Sequence, residues 1–177
     1  MSHYPNIMID IETTGTDPEH SAIIQISAVA FNLEAKTIDV ENMFDRCLVM
    51  APDRYWDEGT REWWSQFPDV YAEICLRSEQ PNVVMDDFHA WVMERQLLEP
   101  AVMWAKPLSF EAPFLTSYFR QFGKTQPFKY WMARDLNSYI HGRGHKHKTF
   151  WDSMEFHGDK HNALHDVLHQ IQGALTA

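Results

Sequence analysis

Ile7 to Ile11 is an apolar run interrupted only by Asp10, and Glu12 follows two residues later. A run of this length and branching reads as a buried strand, where an acid has no ordinary place. Because side chains alternate along a strand, Asp10 and Glu12 project to one face while Ile9 and Ile11 face the other. Two like charges held side by side call for a cation. The plainer alternative has one acid capping the turn at Thr13-Thr14-Gly15 and the other exposed at the strand end.

The rest of the chain suggests what surrounds that strand. The β-branched run Ile23 to Phe31 reads as a second strand, and Asp17-Pro18 marks the turn between the two. A third strand over Ile38 to Val49, reached through Glu34-Ala35-Lys36-Thr37, completes an antiparallel meander. Asp57 to Arg95 turns helical, with Asn82 as a cap and Pro52, Pro68, Pro81 and Pro100 as punctuation. A strand at Ala101 to Ala105 then precedes a helix capped by Ser109, which carries Phe110, Phe114, Tyr118 and Phe122 on one face and closes at Gly123. A strand over Phe128 to Ala133, a helical turn at Asp135 to Ile140 and a loop at Arg143 to Lys148 lead to an amphipathic closing helix with Leu164, Val167, Leu168, Ile171 and Leu175 at helical spacing. The expected architecture is one α/β domain over residues 1–177, three layers around a mixed sheet.

Charge narrows the classes of partner. The formal net charge is −10, which opposes indiscriminate attachment to nucleic acid because sequence-independent affinity comes from Lys and Arg on phosphates. Any such contact has to be local. The dense basic tract is Arg143-Gly144-His145-Lys146-His147-Lys148, either a guide for a phosphate backbone or a solvated loop. Cys47 and Cys75 form no Cys-x-x-Cys pair and read as buried thiols in a reducing compartment. No stretch approaches the roughly 18 apolar residues of a membrane helix, so no membrane partner and a cytoplasmic location are expected.

Two further segments carry candidate chemistry. Ser109-Phe110-Glu111 stands at a strand-to-helix junction, where Glu111 can either reach the sheet edge holding Asp10 or complement the helix dipole. His161-Asn162-Ala163-Leu164-His165-Asp166 opens the last helix, with a histidine five residues before an acid.

Asp10-Ile11-Glu12-Thr13-Thr14-Gly15 resembles the first motif of the DEDD exonuclease superfamily, and His161 to Asp166 resembles its third motif in the histidine (DEDDh) form. The middle motif departs from the family's Ser-Phe-Asp by offering Glu111. Thr60-Arg61-Glu62-Trp63-Trp64 is similar to the Trp-Trp segment of a branch that contains phage exonuclease A and a mycobacterial exoribonuclease. The resemblance implies a ribonuclease H-like fold and 3′→5′ hydrolysis of single-stranded RNA or DNA from its 3′ end, with RNA favoured and nucleoside 5′-monophosphates released. It also implies two Mg²⁺ or Mn²⁺ ions, with Asp10 bridging both, Glu12 and Asp166 on the ion that binds the attacking water, Glu111 on the other, and His161 as the base. Thr13, Thr14 and Gly15 would hold the terminal nucleotide. Several members of the superfamily pair, so a homodimer is compatible with it.

Other readings remain at this point. Trp63 or Trp64 either stacks on an unpaired base or packs in the core. Arg134 is expected to pair with Asp135, which is the reserve ligand should Glu111 be misplaced. His161, His165 and His169, spaced four apart near His157, would on one helix face form a zinc or nickel site. The Glu111 departure also admits a catalytically silent nucleic-acid-binding relative.

Overall fold

β1 (Asn6–Thr13) has neighbours on both edges. It pairs antiparallel with β2 (Ile23–Asn32) and parallel with β6 (Val102–Ala105). A strand flanked on both edges and packed on both faces has to be apolar throughout, which is why Ile7 to Ile9 are fully buried. The computed structural model describes residues 4–177. Beyond β2 lie β3 (Thr37–Ile38) and β4 (Phe44–Leu48), then β5 (Ser78–Glu79); beyond β6 lies β7 (Ala133–Asp135). The order across the sheet is β5-β4-β2-β1-β6-β7, with β3 also on β2.

Helices cover both faces of this mixed sheet. Ile7, Ile9 and Ile11 share a core with Val84, Met85, Phe88 and Val92 of α3 (Pro81–Arg95) and Phe114, Leu115 and Tyr118 of α4 (Leu108–Gln121). On the opposite face Met8, Val29, Phe31 and Trp104 pack against Leu136 and Ile140 of α5 (Leu136–Gly142), Phe150 of α6 (His147–Asp152) and Val167 and Ile171 of α7 (Ala163–Thr176). Each such side chain contributes about 1.5–3 kcal/mol when fully buried. The alternation puts Asp10, in phase with Met8, on the α7 side. α1 (Glu58–Trp64) and α2 (Pro68–Arg77) close over the end of the meander, where Trp64 and Ile74 meet Ile24 and Cys47.

Several boundaries differ from the sequence expectations for physical reasons. The third strand is two short pieces, because Asn42 bonds the Asp39 carboxylate while its carbonyl accepts from Trp91 and Arg95 of α3. α3 begins at Pro81, whose missing N–H suits a first helical position, so Asn82 lies inside the helix and not at its cap. α4 begins at Leu108, ahead of Ser109, because Asp135 Oδ2 accepts the Leu108 N–H at 3.0 Å. Phe128 to Met132 turns through a Met132-to-Lys129 bond, leaving a strand only over Ala133–Asp135. The expected basic loop runs into α6 from His147. Cys47 is buried, but Cys75 is exposed. Among the described residues no helix is long and apolar enough to cross a membrane.

Candidate active site

Register decides which side chains meet at the end of β1. Asp10 stands opposite Ser27 and Glu12 opposite Gln25 on β2. Gln25 Oε1 accepts the Ala163 N–H at 3.1 Å, and Asn162 caps α7 through the N–H groups of Leu164 and His165. The first turn of α7 is thereby fixed over β1 and β2, carrying Asp166 to the two strand acids. One carboxylate oxygen each from Asp10, Glu12 and Asp166 all lie within 4.8 Å of one another. Asp10 is also held by Gln170, whose Nε2 donates to Oδ1 at 2.6 Å inside the protein.

Glu111, in the first turn of α4, is 2% exposed and its Oε2 has no hydrogen-bond partner. Its oxygens fall outside the tight triplet, yet it is close enough to feel Asp10. Burial, then the Asp10 charge, push its carboxyl up to about 9. Burial and the Asp166 charge likewise push Asp10 up to about 8. Burial followed by Asp10, Asp166 and Glu111 holds Glu12 well above the carboxylate range, and burial raises Asp166. Four neighbouring carboxyl groups, Asp10 and Glu111 buried and Glu12 and Asp166 half-buried, favour either protonation or a multivalent cation. An all-oxygen donor set with an unpartnered buried carboxylate oxygen fits hard divalent ions such as Mg²⁺ or Mn²⁺.

His161 lies beside this group but not on α7. It precedes the Asn162 cap with φ of 64°, and its backbone N–H donates to Asp166 Oδ2 at 2.9 Å. Its ring packs against the touching rings of Trp63 and Phe67, with centroids 4.6 and 4.4 Å away. Burial lowers its pKa against the pull of Asp166, which favours a neutral ring able to accept a proton. The three-histidine metal face is therefore not formed. His161 is off the helix, His165 Nδ1 engages the Asp159 N–H, and the His169 ring packs on Trp151 and Phe156.

The remaining expectations divide. Thr14 is fully buried, donating its proton to the Tyr55 carbonyl and accepting from the Ala22 N–H, so its side chain is turned into the protein. Thr13 bonds the Gly15 carbonyl at 2.7 Å. Gly15 packs so closely that a Cβ would stand 2.4 Å from Ser21 Oγ and 2.9 Å from Asp57 Cβ. Trp64 is the core tryptophan, its Nε1 donating to the Thr13 carbonyl at 3.0 Å, whereas Trp63 is 36% exposed beside His161. Asp135 caps α5 and accepts from Leu108, so both its oxygens are engaged. Arg134 does not pair with it but lies 5.7 Å over the Trp104 ring.

Two neighbours of the acids went unforeseen in the sequence, Gln170 and Lys106. Gln170 had a legible signal, since it interrupts the apolar stripe of α7 between Val167 and Ile171. Lys106 follows β6 directly, and burial lowers its pKa against the pull of Asp10, Asp166 and Glu111.

Comparison with known proteins agrees with this geometry. Residues 5–177 match the model of the Rv2179c-like 3′-5′ exoribonuclease domain. No curated protein matches the chain. Among solved structures, the nuclease domain of 3′hExo, a DEDDh family member bound to rAMP, superposes with a TM-score of 0.64 at 16% identity, over 99% of this chain and 92% of that one. S. pombe Pop2p in its Mg²⁺- and Mn²⁺-bound form gives 0.69 at 14% identity, over 98% and 82%. E. coli exonuclease I with a dA16 oligonucleotide gives 0.68 at 15% identity, over 94% of this chain but 39% of exonuclease I. The fold is that of the ribonuclease H-like exonucleases.

Proposed function

Since the chain belongs to the family of the Rv2179c-like 3′-5′ exoribonuclease domain, we propose that it is a metal-dependent 3′→5′ exonuclease of single-stranded ends, with RNA preferred to DNA. The observation that carries this is the convergence of Asp10, Glu12 and Asp166 oxygens within 4.8 Å beside a histidine tied to Asp166. Two Mg²⁺ or Mn²⁺ ions, when bound, supply Lewis acidity at the phosphoryl oxygens and an acidified attacking water. Asp10, Glu12 and Asp166 would hold these ions, with Glu111 as a further donor. His161 takes the proton from the water, whose oxygen forms the new bond to phosphorus. The P–O3′ bond breaks, releasing a nucleoside 5′-monophosphate and a chain one unit shorter. Thr13 and Gly15, which follow Glu12 in the chain, are assigned to the terminal nucleotide, and the exposed edge of Trp63 to its base. A site acting on free single-stranded ends needs neither a membrane nor an organelle, which suits a cytoplasmic location.

A silent nucleic-acid-binding relative is the second reading, favoured by the position of Glu111 outside the triplet. The two separate on 5′-labelled single-stranded RNA and DNA of equal sequence, incubated with wild-type or Asp10→Ala protein in Mg²⁺, Mn²⁺ or chelator. A ladder shortening from the 3′ end, absent in chelator and in the variant, is expected. Binding without a ladder in either metal would sink the enzyme reading.

A further inference from the structure

We infer that Lys106 is a catalytic cation of this site, placed to stabilise the 3′ oxygen as it leaves; the inference rests on the hydrolytic reading above. Register puts it there. β6 runs parallel to β1 and their last paired residues are Met8 and Trp104; continued two residues past that pair, the same register brings Lys106, just beyond the end of β6, to the level of Asp10. Trp104 and Met8 both face the α5–α6–α7 layer, and Lys106, in phase with Trp104, extends its chain to the same side. Its Nζ lies 4.0 Å from the ring centroid of Trp151 on α6, a contact that helps hold an ammonium in place.

The two flanks of Asp10 differ in chemistry. On one flank the His161 ring packs against Trp63 and Phe67 of the α1–α2 corner, and its backbone N–H donates to Asp166. On the other stand Lys106 and Glu111, carried by β6 and the start of α4. In-line displacement at phosphorus puts the attacking and leaving oxygens on opposite sides. If His161 marks the side of attack, Lys106 faces departure. The electron pair of the breaking P–O3′ bond stays on the 3′ oxygen, which accepts a hydrogen bond from the ammonium, and solvent supplies the proton that completes the 3′-hydroxyl. A fixed positive charge where negative charge develops accelerates the step without reorganising.

The test compares wild type, Lys106→Met and Lys106→Arg on a single-stranded oligonucleotide and on the p-nitrophenyl ester of thymidine 5′-monophosphate, whose phenolate leaves without help. Lys106→Met should lower kcat on the oligonucleotide about 100-fold or more, change the ester by less than about fivefold, and leave Lys106→Arg between the two. Electron paramagnetic resonance of Mn²⁺ supplies a readout independent of turnover. Losing a neighbouring positive charge should tighten Mn²⁺ binding about threefold or more, whereas a misfolded site would weaken it. Equal losses on both substrates, undiminished oligonucleotide turnover or weakened Mn²⁺ binding would each overturn the assignment. Wild-type protein inert on both substrates would instead bring down the nuclease reading, and this inference with it.

Discussion

Gln170 shows how much of the site depends on groups that never touch a substrate. Its side chain is 3% exposed and reaches Asp10 through a 2.6 Å bond, so it sets the rotamer of the acid assigned to bridge the ions. Gln170→Leu keeps the volume and removes the donor; it should weaken Mn²⁺ binding about 10- to 100-fold, measured by calorimetry, while the fold survives. The acids themselves make stability depend on pH and metal. Asp10 and Glu111 are pushed up to about 8 and about 9 in the folded protein, against about 4 in an unfolded chain. Folded protein without metal thus retains protons the unfolded chain has released, and the stability from these neutral carboxyls, complete below about pH 4, is lost as pH rises towards 8 and 9. In chelator the melting temperature should fall as pH rises from about 6 to 9, and the gain on adding Mn²⁺ should grow over that interval. Asp10→Asn should flatten both trends; a wild-type melting temperature independent of pH would show that the acids do not govern it. Asp10 and Glu12 were legible because spacing along a strand fixes their face. Lys106 was not, because its neighbour is set by the pairing of β1 with a strand some ninety residues away.

Elements enter the site through their ends, and ends are where the sequence was hardest to read. β1, β2, β6 and the closing helix were legible from period and composition, since each is long or strongly apolar. The caps were not, because partners far along the chain decide them. Asp135 accepts the Leu108 N–H and starts α4 ahead of Ser109, and this places Glu111 in the first turn. A two-residue β5 and a three-residue β7 have too little periodicity to stand out from loops. The corner joining β1 to α1 is the most constrained of these ends. Thr14 bonds Ala22 and Tyr55, Trp64 bonds the Thr13 carbonyl, and Asp57 caps α1 through the Thr60 N–H. Gly15→Ala would drive a methyl into Asp57 Cβ, whose backbone the same corner fixes. It should cost about 1–3 kcal/mol in urea unfolding and also lower turnover, because α1 carries Trp63 against His161. An unfolding midpoint unchanged by that methyl would mean that the corner yields freely.

At the scale of the whole molecule, a net charge of −10 has to coexist with a polyanionic substrate. Long-range attraction is weak for such a protein, so the proposed capture depends on local cations and on the divalent ions proposed for the acids. Arg143, Lys146 and Lys148 are exposed where α5 passes into α6. α6 also presents Trp151 to Lys106, so the tract lies out from the flank assigned to the leaving oxygen. On the proposed reading, the strand still attached to that oxygen is the part of the substrate these cations can guide, and the terminal nucleotide would lie on the His161 side. Replacing all three with alanine should therefore raise KM for an oligonucleotide of about ten nucleotides and leave kcat nearly unchanged. The p-nitrophenyl ester, which has no upstream phosphates, should not respond. If each cation meets one phosphate, the slope of log affinity against log salt should become shallower by about 2, at roughly 0.7 per contact for single strands. Fluorescence anisotropy in Ca²⁺ would measure that slope without turnover. An unchanged slope with an unchanged KM would mean that the tract is a solvated surface and that the upstream strand leaves the site by another face.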